Sequence, residues 1–164
     1  MVLVDRPLLL RKLAELEEYL GQMREFSSLT TEAYAGNWKT QRIVERTLQM
    51  MIELCSDISG HIIADQQLRV PVTYADAFRS LSEAGLLTPE LCVLMEKMAR
   101  FRNIIVHDYA RINAAIVVTI LRENLDDFLL YRDAILKIIH DKSPPPHAPP
   151  PAHAKRAKTL KIKT

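Results

Sequence analysis

Between Arg102 and Tyr109 the chain reads Arg-Asn-Ile-Ile-Val-His-Asp-Tyr, which sets a permanent cation, an imidazole and a phenol within eight residues of otherwise apolar, helical sequence. These are groups that could handle a phosphodiester without a metal. Arginine offers a planar fork of donors for phosphate oxygens, and an imidazole can take or give a proton near neutral pH. Each residue also has a structural explanation. A lone histidine at a helix end caps or packs, an arginine is solvated or salt-bridged, and a tyrosine on a helical face buries its ring with the hydroxyl at the rim. On a continuous helix, residues five apart diverge by roughly 140°, so Arg102 and His107 would point apart, whereas Arg102 and Tyr109, seven apart, would align. A single site therefore needs a broken helix, long side chains converging in a cleft, or two copies of the chain meeting across a two-fold axis.

What positions these groups is a helical scaffold. The 164 residues suffice for one domain with a real core, and 48% of them are hydrophobic. Aromatics make up 6%, and there are only four glycines, too few for the turns of a sandwich or barrel. Leu, Ala, Glu, Arg and Met, which lose least on entering a helix, dominate. The composition predicts an all-α fold, an antiparallel bundle of four to five helices.

Asp5 ahead of Arg6-Pro7 predicts an N-cap with proline in the first turn, and Leu9, Leu13, Leu16, Leu20 and Met23 form the stripe of a first helix. Residues 27–37 read as a connection. A second helix starts near Trp38 or Thr40, its stripe running through Val44, Leu48, Cys55, Ile58 and Ile62, and Gly60 either ends it or bends it. Residues 64–72 read as a loop. Thr73-Tyr-Ala-Asp76 resembles a capping box and opens a short helix closed by Gly85, and Thr88-Pro89-Glu90 starts the helix that runs into Arg102. A last long helix is expected from about Ala110 to Ile139.

Cys55 and Cys92 are the only cysteines and lie outside any ligand spacing, so two buried thiols are expected rather than a disulfide or zinc site. The beginning of the chain has no signal-peptide pattern and no apolar run is long enough to span a bilayer, so a cytoplasmic protein without membrane attachment is expected. The net charge of +2 hides an asymmetry. Lys155, Arg156, Lys158, Lys161 and Lys163 carry the excess, and without them 17 basic residues face 20 acidic ones. Any contact of the body with nucleic acid must therefore be local. Domain limits follow: a helical domain over residues 1–142 and a disordered, proline-rich basic tail over 143–164, which either adds salt-dependent RNA affinity or only solubilises. Glu45 and Glu53 fall eight apart on one helical face, but no Glu-x-x-His accompanies them, so ion pairing within the bundle is expected and no metal. His61 and His140, without partners at ligand spacing, read as helix-terminal hydrogen-bonding residues.

The segment Phe101-Arg102-Asn103-Ile104-Ile105-Val106-His107-Asp108-Tyr109 resembles the defining motif of HepT proteins, in the HEPN group of all-helical ribonucleases and toxins. Glu45-Arg46-Thr47-Leu48-Gln49 through Glu53 resembles the second helix of that family. Pro71-x-x-Tyr74-Ala75-Asp76-Ala77-Phe78 and Leu81-x-x-Ala84-Gly85 resemble its middle section, so the likeness covers roughly residues 8 to 140. The tail departs from it. The resemblance implies that Arg102 and His107 are the catalytic pair of a metal-independent endoribonuclease without cofactor, with Asn103 auxiliary. It implies that Tyr109 is the tyrosine that a MntA-like nucleotidyltransferase antitoxin modifies with AMP, adding charge and bulk beside Arg102. A homodimer with its RNA site between protomers, acting as the toxin of a type VII-like toxin–antitoxin system, completes that picture. The alternative is a non-catalytic helical module that binds nucleic acid or nucleotide beside a nucleotidyltransferase.

Overall fold

The structure, a computed structural model, describes residues 5–141. The tail expected over 143–164 lies outside the described residues. Helix α1 (Arg6–Arg24) begins as its sequence predicts, with Asp5 Oδ1 accepting from the Leu8 amide at 3.0 Å and proline in the first turn. All five of its stripe residues are buried. Each leucine removed from water in this way contributes about 1.5–3 kcal/mol, which is why the stripe rather than local propensity decides where α1 lies.

The 27–37 connection contains a helix that the pattern did not predict, α2 (Thr31–Ala35), with Thr30 as N-cap. Five residues are too few to show a period, yet α2 buries Tyr34, whose hydroxyl donates to Glu45 Oε1 at 2.7 Å. Helix α3 (Trp38–Asp65) is capped by Asn37 and passes straight through Gly60. It is the axis of the molecule, packing against α1, α2, α4 (Tyr74–Glu83) and α5 (Pro89–His107). His61 lies inside α3, 3.8 Å from Asp57, and not at its end as expected.

Two helices end in the same hydrogen-bond motif. In α4, Leu86 N donates to Leu81 O at 2.9 Å and Gly85, at φ +74, donates to Ser82 O. In α3, Leu68 N donates to Ile63 O at 2.9 Å and the left-handed position falls to Gln67, at φ +53. Glycine tolerates this conformation, whereas a residue with a Cβ does so at a cost.

The last helix begins later than predicted. Residues Tyr109–Arg111 form a single 3₁₀ turn, and α6 (Ala114–Thr119) starts only after Asn113, whose side chain accepts from the Ala115 amide at 2.9 Å. Asn113 offers the backbone a capping bond that competes with helix continuation. A π-helical turn (Ile120–Asn124) then leads into α7 (Leu125–His140). Within α6 it is Val117 and Val118 that face the core, whereas Ile116 is exposed. Tyr131 fixes α7 to α3: its hydroxyl donates to Cys55 O at 2.7 Å and lies 2.8 Å from Ser59 Oγ, and its ring meets Phe78 edge-on. Cys55 and Cys92 are free and buried, and burial pushes both thiols up. Among the described residues, no helix is long and apolar enough to cross a membrane.

Candidate functional site

Helix α5 delivers the motif. Its N-terminus is fixed by Thr88, which accepts from the Leu91 amide at 3.2 Å, and Phe101 and Ile105 are buried against the bundle. Burial of these two residues turns Arg102 and Asn103 towards the flank. The helix is unbroken from Arg102 to His107, so the two residues do leave it in different directions. They nonetheless line one groove of about 460 Å³, together with Asn103, with Ser56 of α3 and with the wall formed by Pro71, Val72, Thr73 and Tyr74. Of the arrangements compatible with one site, a shared cleft is the one seen within a single chain.

Arg102 is held on three sides. Its Nε and Nη2 donate to Glu53 Oε1 at 2.9 and 2.7 Å, and its guanidinium lies 4.3 Å from the centroid of the Tyr74 ring. Nη2 also comes within 3.4 Å of the Tyr74 hydroxyl, which leaves Nη1 with a long contact, 3.4 Å, to Asn103 Oδ1. Gln49 Nε2 supports the same Glu53 oxygen at 2.9 Å. Burial raises the Glu53 carboxyl, but the bonds from Gln49 and Arg102, with the charge of Arg102, outweigh it and hold the group below the usual glutamate range. The ion pairing expected of Glu53 and Glu45 is thus seen, Glu45 lying 3.5 Å from Arg42.

The groove wall has its own clasp. Arg69 makes a two-pronged pair with Asp76, 2.9 Å on each oxygen, and reaches Glu83 at 3.0 Å. Asp76 Oδ2 also accepts the Val72 amide at 2.9 Å, while Thr73 Oγ1 accepts from the Asp76 amide at 3.0 Å. The acidic side chain of the predicted capping box therefore reaches one residue further back than the usual Thr-x-x-Glu pattern and ties down Val72. The Arg69 guanidinium and the Val72 amide together hold the Asp76 carboxyl down to about 2.

Tyr109 stands apart. The helix ends at His107, Asp108 adopts φ −139 and ψ 51, and the chain turns before Tyr109. The alignment of Arg102 with Tyr109 expected of a continuous helix is therefore absent. The phenol does not line the groove but lies half-exposed against α3, with the Arg42 guanidinium 4.3 Å from its ring centroid. Glu53, Tyr74, Arg69 and Arg42 are the partners that motif reading did not assign. Glu53 and Tyr74 fall in segments already singled out by resemblance, but nothing in their spacing joins them to Arg102. Among the described residues, no three His, Cys, Asp or Glu side chains gather as a metal site.

Comparison with known proteins agrees with the resemblance to a family and with the fold. The family profile described as Ribonuclease HepT-like matches residues 16–135. The chain is 31% identical over 128 residues to the mRNA nuclease HepT of Shewanella oneidensis, spanning 78% of this chain and 96% of that one. It is 28% identical over 120 residues to the tRNA nuclease HepT of Aphanizomenon flos-aquae, spanning 73% and 82% of the two chains. Its fold is similar to the tri-AMPylated Shewanella oneidensis HEPN toxin in complex with MNT antitoxin, at a TM-score of 0.72 and 31% identity, over 78% of this chain and 96% of that chain. With the profile covering most of the described helices and a relative 31% identical over 78% of the chain, the chain belongs to the family of HepT-like ribonucleases.

Proposed function

We propose that this chain is the toxin of a toxin–antitoxin pair, a cytoplasmic homodimeric endoribonuclease that cuts RNA without a metal and is restrained by a MntA-like nucleotidyltransferase acting on Tyr109. The observation that carries the reading is that Arg102 and His107, divergent on α5, line the same groove, with Arg102 held by Glu53 and Tyr74. The RNA targets of the two nuclease relatives, mRNA and tRNA, support RNA as the substrate class.

In the proposed reaction the 2′-hydroxyl attacks the adjacent phosphorus as His107 takes its proton. The bond to the 5′-oxygen breaks, and that oxygen takes a proton from the corresponding histidine of the second protomer. A 2′,3′-cyclic phosphate and a 5′-hydroxyl result. Arg102 stabilises the charge that gathers on the phosphoryl oxygens, where a pre-positioned cation is most effective, and Asn103 supports its Nη1. DNA lacks the nucleophile and is not cut. Modification of Tyr109 adds a phosphate charge and a nucleoside at the end of α5, two residues beyond His107, and so opposes the approach of an RNA strand.

The test is cleavage of total RNA by the wild type and by Arg102→Ala and His107→Ala, with and without EDTA. Each variant is expected to lose about 100-fold or more in rate, with EDTA indifferent and cyclic phosphate ends on the products. Wild-type rates in either variant refute the assignment. The pairing of Arg102 with Glu53 favours a second reading, in which the groove binds RNA with its cation already neutralised and does not cut; binding without turnover by the wild type would establish it.

A further inference from the structure

We infer that Arg42 and Trp38, on successive turns of α3, form a cradle for the nucleotide carried by Tyr109, with Arg42 taking its phosphate and Trp38 its base. The inference rests on Tyr109 being the modified residue.

Three observations meet near the N-terminal end of α3, outside the groove. The Tyr109 ring is 47% exposed and lies under the Arg42 guanidinium, 4.3 Å from centroid to Cζ. Arg42 itself is half-exposed, and its one ion-pair partner among the described residues is Glu45, at a long 3.5 Å, whose other oxygen is already taken by Tyr34. Trp38, the only tryptophan of the chain, is 66% exposed at the start of the same helix. Tryptophan carries the largest apolar surface of any side chain, and the core of this protein has no use for this one. Trp38 and Arg42 are four residues apart and therefore share a face. Lys39 adds a second cation, its Nζ 5.8 Å from the centroid of the indole.

The chemistry of the modification fits this order of groups. The phenolic oxygen of Tyr109 attacks the α-phosphorus of ATP, the bond from that phosphorus to the bridging oxygen of the β-phosphate breaks, and pyrophosphate leaves with the electron pair. The phenol proton passes to a base. What remains is a tyrosyl phosphodiester with one negative charge, its phosphorus one bond beyond the phenol oxygen. Arg42 already covers that ring and need only slide along it to pair with the phosphate through two N–H groups. Beyond the phosphate, one helical turn, about 5.4 Å, leads to Trp38, a step that the ribose can bridge. A base tethered beside an exposed aromatic stacks on it whatever its identity, so the indole takes the adenine face. Without the nucleotide, an arginine stacked on a solvent-facing tyrosine and a tryptophan exposed one turn away have no common purpose.

Because Trp38 is the sole indole, its fluorescence reads the cradle directly. The full chain is produced with an MntA-type nucleotidyltransferase and ATP, intact mass gives the number of AMP groups, and acrylamide quenching gives access to Trp38. The expected result is mass added in AMP-sized steps, with a quenching constant reduced about two-fold as one face of the indole is covered. Arg42→Gln is expected to gain the same mass but keep the quenching of the unmodified chain, and Arg42→Lys, which retains the cation, to recover part of the shielding. Circular dichroism establishes that both variants are folded. Added mass with unchanged quenching in the wild type, or full shielding in Arg42→Gln, overturns the cradle and leaves the modification standing. A chain that gains no mass, or a Tyr109→Phe variant that still gains it, refutes Tyr109 as the modified residue and removes the cradle with it.

Discussion

Removing the Glu53 carboxylate tests whether Arg102 is held in place or merely happens to lie there. One oxygen of Glu53 accepts two bonds from Arg102, at 2.9 and 2.7 Å. The Arg102 side chain is 12% exposed and that of Glu53 31%, so the pair is neither a surface contact nor a buried one. A charge-assisted hydrogen bond contributes about 1.5–3 kcal/mol when sheltered, and an exposed ion pair under about 1 kcal/mol. Partial exposure of Glu53 places the two bonds together near 2 kcal/mol, which in a domain of this size corresponds to about 4–8 °C in Tm. A thermal double-mutant cycle with Glu53→Gln and Arg102→Met at pH 7 should therefore return a coupling of about 2 kcal/mol. The carboxyl is held below the usual glutamate range, so the native state favours its ionised form. Its contribution is complete above the unfolded value of about 4.3 and is lost as pH falls through the depressed native value, so the coupling must shrink in acid. In the cleavage assay Glu53→Gln should lose about ten-fold, the equivalent of 1.4 kcal/mol of transition-state stabilisation, and Arg102→Ala considerably more. Additivity within about 0.5 kcal/mol, or a coupling indifferent to acid, would falsify the claim that Glu53 positions Arg102.

The clasp on the groove wall makes a second pH-dependent contribution. Asp76 is held down to about 2 by Arg69 and the Val72 amide, so its stabilisation is present above the ordinary aspartate value and fades as pH drops through about 2. Asp76→Asn should lower the urea midpoint at pH 6, narrow that difference in strong acid, and speed amide exchange at Val72; unchanged exchange would remove the wall-fixing role. The two helix ends with left-handed residues should respond oppositely. Gly85→Ala should cost about 1 kcal/mol from backbone strain alone, since nothing lies within 4 Å of the added Cβ, and Gln67→Gly should stabilise by up to about 1 kcal/mol, both read from urea unfolding.

Features carried by single residues or by a period were legible before the fold was known. The caps Asp5, Thr73 and Thr88 and the stripe of α1 are local signals, each needing only a few neighbouring residues to be recognised. The segment from Arg102 to Tyr109 was singled out by resemblance to a family, since each of its residues also has a structural explanation. What escaped depends on contacts across the chain. Glu53 and Arg102 are 49 residues apart, and only the packing of α3 on α5 brings them together. The departure of Tyr109 from the helical face turns on one backbone conformation, at Asp108, and on Asn113 competing for an amide. Helix α2 exists because Tyr34 finds a buried carboxylate on α3, a reason that no five-residue window contains.

Helix α3 also works as a ruler. Arg42 and Glu53 are 11 residues apart, which is three turns to within about 20°, so they share one edge of the rod at a spacing of about 16 Å. One end touches the phenol of Tyr109 and the other the guanidinium of Arg102, and the interval between them contains neither proline nor glycine. Gly60, the only glycine of α3, falls beyond the Glu53 end. The two grips are thus set at a constant separation that loop motion cannot alter, and a strand laid along this edge would meet both at once or neither.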